Sequence, residues 1–343
     1  MITRTIRTAS AALAAAALSA TLLTTPAHAA DTGLYGQTDP TSDAVYRQSL
    51  AILGLSAVGV DPAPSAVQWL VDQQCADGTF QSYRANTTTP CAPSNPEAFS
   101  GPDTNSTALA AMALQAAGRT SAATDAAQAL IDGAVRSGRT AAWPYNFGGD
   151  PDASSTGLVV SALQAVGANT TATAEGKRWL RQRIINCSRK YGGAMRNDTS
   201  SPAASNFATA QGLLGLTATL PVTAESDPAA NPACSGSSVQ RVSSYLARTL
   251  TRDGVLIYSG FGGNDYGSTA AAVVALGEAG LGRRGINRAV TTLQQQADSW
   301  ISTDAGDSVG AAGWLLMVAE SAGENPRSFG GVNLVRTITG SIR

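Results

Sequence analysis

Acidic residues recur at equivalent places along the chain, and their carboxylates have the chemistry for acid–base catalysis. Asp103, Asp152, Asp265 and Asp307 each stand just before a segment of small apolar residues. Two carboxylates on either side of a glycosidic bond can exchange the protons that its hydrolysis requires. An aspartate before such a segment is also a preferred helix N-cap, and capping alone explains its presence. The residues leave both interpretations open.

Polar and aromatic side chains accompany these aspartates and suggest a small-molecule site. Loops rich in glycine and aromatics precede three of the apolar segments, although they are also typical of tight turns plugged by a ring. Gln211 lies inside a small-residue apolar segment, so it needs a polar partner, either backbone or ligand. We predict polar ligand contacts from Asp103, Thr107, Asp152, Thr156, Asn206, Gln211, Asp265 and Thr269, and apolar walls from Tyr145, Tyr258 and Phe261.

The apolar segments are copies of one repeat, which predicts the elements that position these residues. Three clear copies run from Asp103 to Gly118, from Asp152 to Gly167 and from Asp265 to Gly280, and weaker copies start at Asp43, Ser205 and Asp307. Each copy begins with a capping residue, and most end with glycine, as helices do. Six copies spaced roughly 40–60 residues apart are typical of helical repeats.

The segments between the copies predict a second set of helices. They are amphipathic, whereas the copies are apolar all round, as expected of fully buried helices. These segments are Pro64 to Cys75, Ala122 to Ser137, Ala172 to Asn186, Ser237 to Thr251, Arg284 to Ala297 and Pro326 to Thr339. Six alternating pairs favour an all-α fold, an (α/α)6 toroid with an inner and an outer ring, over the alternative of an open solenoid.

The first 29 residues have the pattern of a cleaved signal peptide. Arg4 and Arg7 precede the apolar run from Ala11 to Leu23, and Ala27-His28-Ala29 resembles a cleavage site. The run is short for a membrane anchor, which is the alternative interpretation. We therefore predict a signal peptide over residues 1–29 and one toroid domain over residues 30–343. The protein is expected to be secreted, without stable membrane insertion.

Cysteine usage agrees with export and argues against a metal site. Four cysteines allow three pairings, and we favour Cys75–Cys91 and Cys187–Cys234 because each pair is consecutive and brackets one repeat. A zinc site is the alternative, but the only histidine is His28, and no two cysteines have the Cys-x-x-Cys spacing. The formal net charge of −1 gives no indication of nucleic-acid binding.

One segment places the repeat near a known superfamily. Gln73 to Phe80, which reads Gln-Gln-Cys-Ala-Asp-Gly-Thr-Phe, resembles the repeat signature of squalene cyclases and protein prenyltransferases. The resemblance implies their α/α-toroid fold. It does not extend to their catalytic residues, because the sequence has no Asp-x-Asp-Asp acid and the predicted mature chain has no histidine to bind zinc.

Three further segments resemble the α domain of the transcobalamin and intrinsic factor family. They run from Asp103 to Leu114, from Ser155 to Leu163 and from Gly193 to Leu214, in the order of that family. The resemblance implies binding of cobalamin without catalysis. The sequence has no counterpart of the family's small β domain, which implies a separate β-domain or transporter partner.

These observations together favour an exported small-molecule-binding protein, with a corrinoid as the ligand that the resemblance implies and no catalytic cofactor. Two alternatives remain open. One is an enzyme that uses the carboxylates at the rim, resembling a terpenoid cyclase or prenyltransferase or acting on glycans. The other is a structural ring that binds proteins.

Overall fold

The computed structural model describes residues 32–168, 170–217, 219–229, 232–259 and 262–343. The predicted signal peptide and Phe261 lie outside these ranges. The described residues form twelve helices and three two-stranded antiparallel sheets. The sheets pair β1 (Val135–Ser137) with β2 (Thr140–Ala142), β3 (Leu256–Ile257) with β4 (Asn264–Asp265), and β5 (Ser302–Thr303) with β6 (Gly306–Asp307).

The odd-numbered helices are the buried repeat copies. They are α1 (Ala44–Ala57), α3 (Thr104–Ala116), α5 (Ala153–Ala165), α7 (Asn206–Thr217), α9 (Tyr266–Glu278) and α11 (Val309–Ala322). Each contacts the next in this order, and α11 also contacts α1. In α3 every residue from Thr104 to Leu114 is buried, which agrees with the apolar character of the copies on all faces.

The even-numbered helices pack outside the buried set. They are α2 (Pro64–Asp72), α4 (Thr120–Asp132), α6 (Thr170–Arg183), α8 (Ser238–Asp253), α10 (Arg283–Ile301) and α12 (Leu334–Thr339). Helix α8 shows the predicted amphipathic pattern, because Val242, Leu246 and Leu250 are buried at helical spacing. The alternation of buried and amphipathic helices is that of an α/α toroid.

Several predicted helix boundaries were wrong, and three of them have a clear local cause. Helix α11 is capped by Ser308, which accepts from the backbone N–H of Ala311, while Asp307 belongs to β6. Helix α12 begins at Leu334 instead of Pro326, because Gly330 and Gly331 take positive φ angles and Asn333 supplies the cap. Helix α4 ends at Asp132, and the predicted last turn forms β1 instead.

Glycines allow two pairs of buried helices to approach closely. A Cβ atom on Gly54 of α1 would lie 2.6 Å from the carbonyl oxygen of Gly313 on α11. A Cβ atom on Gly157 of α5 would lie 2.3 Å from the carbonyl oxygen of Gln211 on α7. Helix axes can come this near only where no side chain intervenes, so the small residues of the repeat are a packing requirement.

Both predicted disulfides are present, as Cys75–Cys91 and Cys187–Cys234, and the described residues include no free cysteine. Disulfides persist in oxidising compartments, in keeping with an exported protein. No described helix is long and apolar enough to cross a membrane.

Candidate functional site

A pocket opens among the N-terminal halves of four buried helices. Its volume is about 400 Å³, at the lower end of the range of drug-sized ligand sites. The wall combines aromatic rings with carboxylates, one guanidinium and one amide. It consists of Asp43, Tyr46, Arg47, Leu50, Phe207, Gln211, Tyr258, Asp265, Gly267, Ser268, Ala271, Trp300, Ser308, Gly310, Ala311 and Trp314.

Asp265 is fixed in this wall by the start of α9. One carboxylate oxygen accepts from the backbone N–H of Ser268 at 2.9 Å, and the other accepts from the Ser268 hydroxyl at 2.6 Å. The residue is only 3% exposed. Asp265 is therefore both the predicted N-cap and a carboxylate of the pocket, so the two interpretations of this aspartate are compatible.

Asp43 brings a second carboxylate to the pocket and makes no capping hydrogen bond to α1. It pairs instead with Arg47 at 3.1 Å, one helical turn later. Arg47 is buried and also donates to the backbone oxygens of Thr38 and Asp39. Burial within the concave wall raises the pKa of Asp43, and the Arg47 cation opposes that rise.

Tyr46 connects the pocket electrostatically to a third carboxylate. Burial raises the pKa of its hydroxyl, and the charge of Asp103 is the next largest cause, ahead of Asp265. Asp103 is 3% exposed, and burial raises its pKa to about 6, although hydrogen bonds from Ser106 oppose the rise. At mildly acidic pH Asp103 is therefore partly protonated.

Gln211 carries the most unusual polar atom of the pocket. The residue is 3% exposed, and its Oε1 atom has no hydrogen-bond partner in the structure. Buried amide oxygens are almost always paired, because leaving one unpaired costs about 1–3 kcal/mol. A backbone group or a ligand was expected as the partner of Gln211, and the backbone does not supply one for this oxygen.

The repeated threonines have another role. Thr107, Thr156 and Thr269 are completely buried and do not line the pocket. Their hydroxyls accept from the backbone N–H groups of Phe80, Trp143 and Leu256 at 2.9–3.0 Å. Each thereby fixes the segment before a helix onto that helix. The ligand contacts predicted for these threonines stay predictions. The hydrogen bonds observed for their hydroxyls stabilise the fold.

Other predicted site residues lie outside the pocket. Asp152 caps α5 and accepts from Ser154 and Ser155, and Asp103 and Tyr145 are likewise absent from the wall. Asn206 lies in a neighbouring groove, where it accepts from the Tyr245 hydroxyl at 2.8 Å. Of the predicted set the structure thus brings together Asp265, Gln211 and Tyr258.

Apart from Tyr258, the aromatic walls were not predicted from the sequence: Tyr46, Phe207, Trp300 and Trp314. Trp314 lies inside the buried helix α11, and Trp300 lies near the end of α10, where its ring packs 5.7 Å from that of Tyr266. Phe207 remains 40% exposed although it is the second residue of a buried helix. Their positions within helices resemble those of ordinary core residues, and only the assembly of four helices shows that they share a pocket.

Comparisons of sequence identify no relatives: no family model and no curated protein matches the chain. The structure is similar to the type II terpene cyclase MstE from Scytonema, with a TM-score of 0.53 and 18% identity, over 80% of this chain and 72% of the cyclase. It is similar to ent-copalyl diphosphate synthase from Streptomyces platensis, with a TM-score of 0.51 and 17% identity, over 82% of this chain and 50% of the synthase.

A glycosidase is also similar, with a TM-score of 0.54 and 14% identity, over 85% of this chain and 92% of the glycosidase. Similarity at this level of identity concerns the fold alone, since one fold carries many chemistries. The fold of the chain is therefore similar to the folds of these two terpene cyclases and this glycosidase. The closer resemblance to the transcobalamin family stays a prediction.

Proposed function

We propose that the pocket binds and cleaves a carbohydrate, with Asp43 and Asp265 as the acid–base pair. The observation that carries the proposal is the combination of two carboxylates with Trp300, Trp314 and Tyr46 in one concave wall. Flat rings pack against the apolar faces of sugars, and carboxylates bind their hydroxyls. A terpenoid site would instead need a predominantly apolar wall.

The two carboxylates suit different roles. Partial burial raises the pKa of Asp43, against the effect of the Arg47 cation, and we assign to Asp43 the donation of a proton to the glycosidic oxygen as the bond from that oxygen to the anomeric carbon breaks. Asp265, held by Ser268, can accept the proton of the water that adds to this carbon, or attack the carbon itself. Gln211 would satisfy its free Oε1 with a sugar hydroxyl.

The proposal includes the architecture that forms the pocket. The six buried helices would close into a ring, supported by the contact between α11 and α1 and by the glycines Gly54 and Gly313 at that contact. The mature domain would span residues 30–343 after export with the signal peptide. A secreted enzyme of this kind meets polysaccharides outside the cell.

The test is hydrolysis of an oligosaccharide panel followed by mass spectrometry, with Asp265→Asn and Asp152→Asn as matched variants. Both aspartates cap a buried helix through the N–H of a serine three residues later, and asparagine retains that function. Only Asp265 lines the pocket. We expect Asp265→Asn to lose about 10²–10⁴-fold in rate and Asp152→Asn to keep wild-type activity. Equal rates for the two variants would refute the assignment.

Calorimetry with cobalamin on the same preparation distinguishes the proposed enzyme function from cobalamin capture. A corrin macrocycle is larger than the ligands that a pocket of about 400 Å³ encloses, so it would have to lie across the mouth. Tight cobalamin binding without glycan cleavage would replace the proposal by the capture function that the sequence resemblance implies. Conversion of a polyprenyl substrate would replace it by a cyclase function.

A further inference from the structure

A second, larger depression lies directly beside the pocket, and Tyr258 belongs to the walls of both. We call it the basic groove. Its volume is about 820 Å³. The wall comes from the loop that follows α6, from α8 and from the segment after β3. It consists of Ile185, Arg189, Lys190, Tyr191, Arg196, Pro202, Ala203, Ala204, Asn206, Tyr245, Ile257, Tyr258 and Ser259.

Three cations, Arg189, Lys190 and Arg196, line the basic groove, although the whole chain has a formal charge of −1. Residues 177–198 contain seven Lys and Arg and one Asp, and α8 contains three Arg and one Asp. The fold joins these two segments, because Arg248 of α8 donates to the carbonyl oxygen of Gly192 at 3.0 Å. Burial and the neighbouring Arg196 lower the pKa of Arg183, as expected where cations are crowded.

The cations of the groove wall are not neutralised by the protein. Within the described ranges, Arg189, Lys190 and Arg196 form no ion pair, and the groove wall contains no Asp or Glu. Lys190 instead lies 5.0 Å above the ring of Tyr191. Unpaired guanidinium and ammonium groups beside one another favour a ligand that carries negative charge.

Exposed rings accompany these cations. Tyr191 is 51% exposed and Tyr258 is 49% exposed, far more than is usual for such large side chains. Tyr191 has a φ of 63°, a left-handed conformation that bulky residues seldom adopt, and the disulfide Cys187–Cys234 ties its loop to the segment before α8. Strained backbone that holds an exposed ring beside cations is found at binding sites.

We infer that the basic groove binds an acidic carbohydrate chain, whose uronate carboxylates or sulfate esters meet Arg189 and Arg196 while a neighbouring ring enters the pocket. The inference rests on the proposed function. Because Tyr258 belongs to the walls of both the groove and the pocket, one carbohydrate chain can place its acidic groups in the groove and the sugar to be cleaved in the pocket. Tyr191 and Tyr258 would stack on sugar faces between the charged contacts.

The test is calorimetry with tetragalacturonate, a heparin-derived tetrasaccharide and neutral cellotetraose. The double variant Arg189→Gln/Arg196→Gln is compared with Arg327→Gln, which changes an exposed arginine outside the groove. We expect the wild type to bind at least one acidic tetrasaccharide about tenfold or more tighter than the neutral one. The double variant should lose that preference and retain neutral affinity, whereas Arg327→Gln keeps both. Added salt should weaken only the acidic complexes.

Three outcomes would overturn the inference: equal affinity for acidic and neutral chains, unchanged preference in the double variant, or equally tight binding of a single-stranded oligonucleotide. Failure of the groove and failure of the pocket are distinguishable. If the protein cleaves neutral chains in an Asp265-dependent manner and shows no preference for acidic chains, the proposed function is supported and the groove inference is refuted. If the protein binds acidic chains through the two arginines but never cleaves them, the groove inference is supported and the proposed function is refuted.

Discussion

The start of α5 and the start of α9 have nearly the same local structure but different surroundings. Asp152 and Asp265 each accept from a serine N–H three residues later, at 2.8 and 2.9 Å. Thr156 and Thr269 each accept from the backbone of the preceding segment at 2.9 Å. Yet α9 lines the pocket, whereas α5 packs directly on α7.

Two glycines, which lie at different positions of the repeat, illustrate the different surroundings. A Cβ atom on Gly157 of α5 would lie 2.3 Å from the backbone of Gln211, whereas one on Gly267 of α9 would meet nothing nearer than 3.7 Å. The repeat motif therefore encodes a helix start and its attachment to the preceding segment. Whether the start of a buried helix lines a pocket depends on the residues that face it, and those residues belong to other repeats.

The largest expected effect comes from filling these two spaces with one methyl group each. Gly157→Ala forces α5 away from α7 and should cost about 3 kcal/mol or more, because the obstructing atoms are backbone. Gly267→Ala meets no obstruction, and because Gly267 is the second residue of α9 it should stabilise the helix by less than the interior propensity difference of about 1 kcal/mol. Urea unfolding of both variants measures the difference. Similar stabilities would show that α5 and α7 are not closely packed.

A smaller effect, which depends on pH, is expected at Asp103. Its pKa is raised from 3.8 to about 6, so the native state holds the proton more tightly than the unfolded chain does. Stability contributed by this carboxyl is complete below about pH 4 and is lost as the pH rises through 6. Asp103→Asn keeps the cap but not the titration. The variant should therefore gain, relative to wild type, at most about 3 kcal/mol between pH 4 and pH 7.

Urea unfolding at intervals from pH 4 to pH 8 checks this difference curve. Other titrating groups are common to both proteins and cancel in the difference. A difference that stays constant over this range would mean that Asp103 is not destabilised by burial in its ionised form.

The sequence was sufficient for most of the fold because the repeat expresses local chemistry. Capping residues, small apolar segments and amphipathic partners determine each helix with little help from distant residues. The last outer helix was placed too early because Gly330 and Gly331 interrupt a segment that otherwise has a helical pattern. Asp307 was misplaced because Ser308, a cap of equal quality, follows it directly.

The site was less predictable because its walls come from distant repeats. Asp265, Gln211 and Tyr258 were predicted, but Tyr46 and Trp314 have the spacing of ordinary helix residues. Asp43 could have been recognised, since it precedes a repeat copy and has an arginine four residues later. The cavity itself is a consequence of packing and leaves no local pattern.

The threonines test whether the two helix starts are structurally equivalent. Thr156→Val and Thr269→Val each leave a buried backbone N–H without its acceptor, and each should cost about 1–2 kcal/mol. Neither change should alter ligand affinity, because both hydroxyls face the preceding segment. Thermal unfolding and calorimetry on both variants measure this. Loss of affinity in Thr269→Val alone would instead support the ligand contact predicted from the sequence.

The smallest stability change, and the most informative about the pocket, is expected at Gln211. Gln211→Leu removes a buried oxygen that has no partner, so stability should stay constant or rise by up to about 1 kcal/mol. Gln48 of α1 is the matched control, because it is also a fully buried glutamine of an inner helix, but its amide bonds Tyr35, Gly33 and Ala66 at 2.9–3.1 Å. Gln48→Leu should therefore cost several kcal/mol, since three backbone groups lose their partners.

If Gln211→Leu retains stability and loses about tenfold or more in ligand affinity, the amide of Gln211 contacts the ligand. If it destabilises the protein as Gln48→Leu does, the amide of Gln211 is part of the core and the pocket loses the contact that the sequence first indicated.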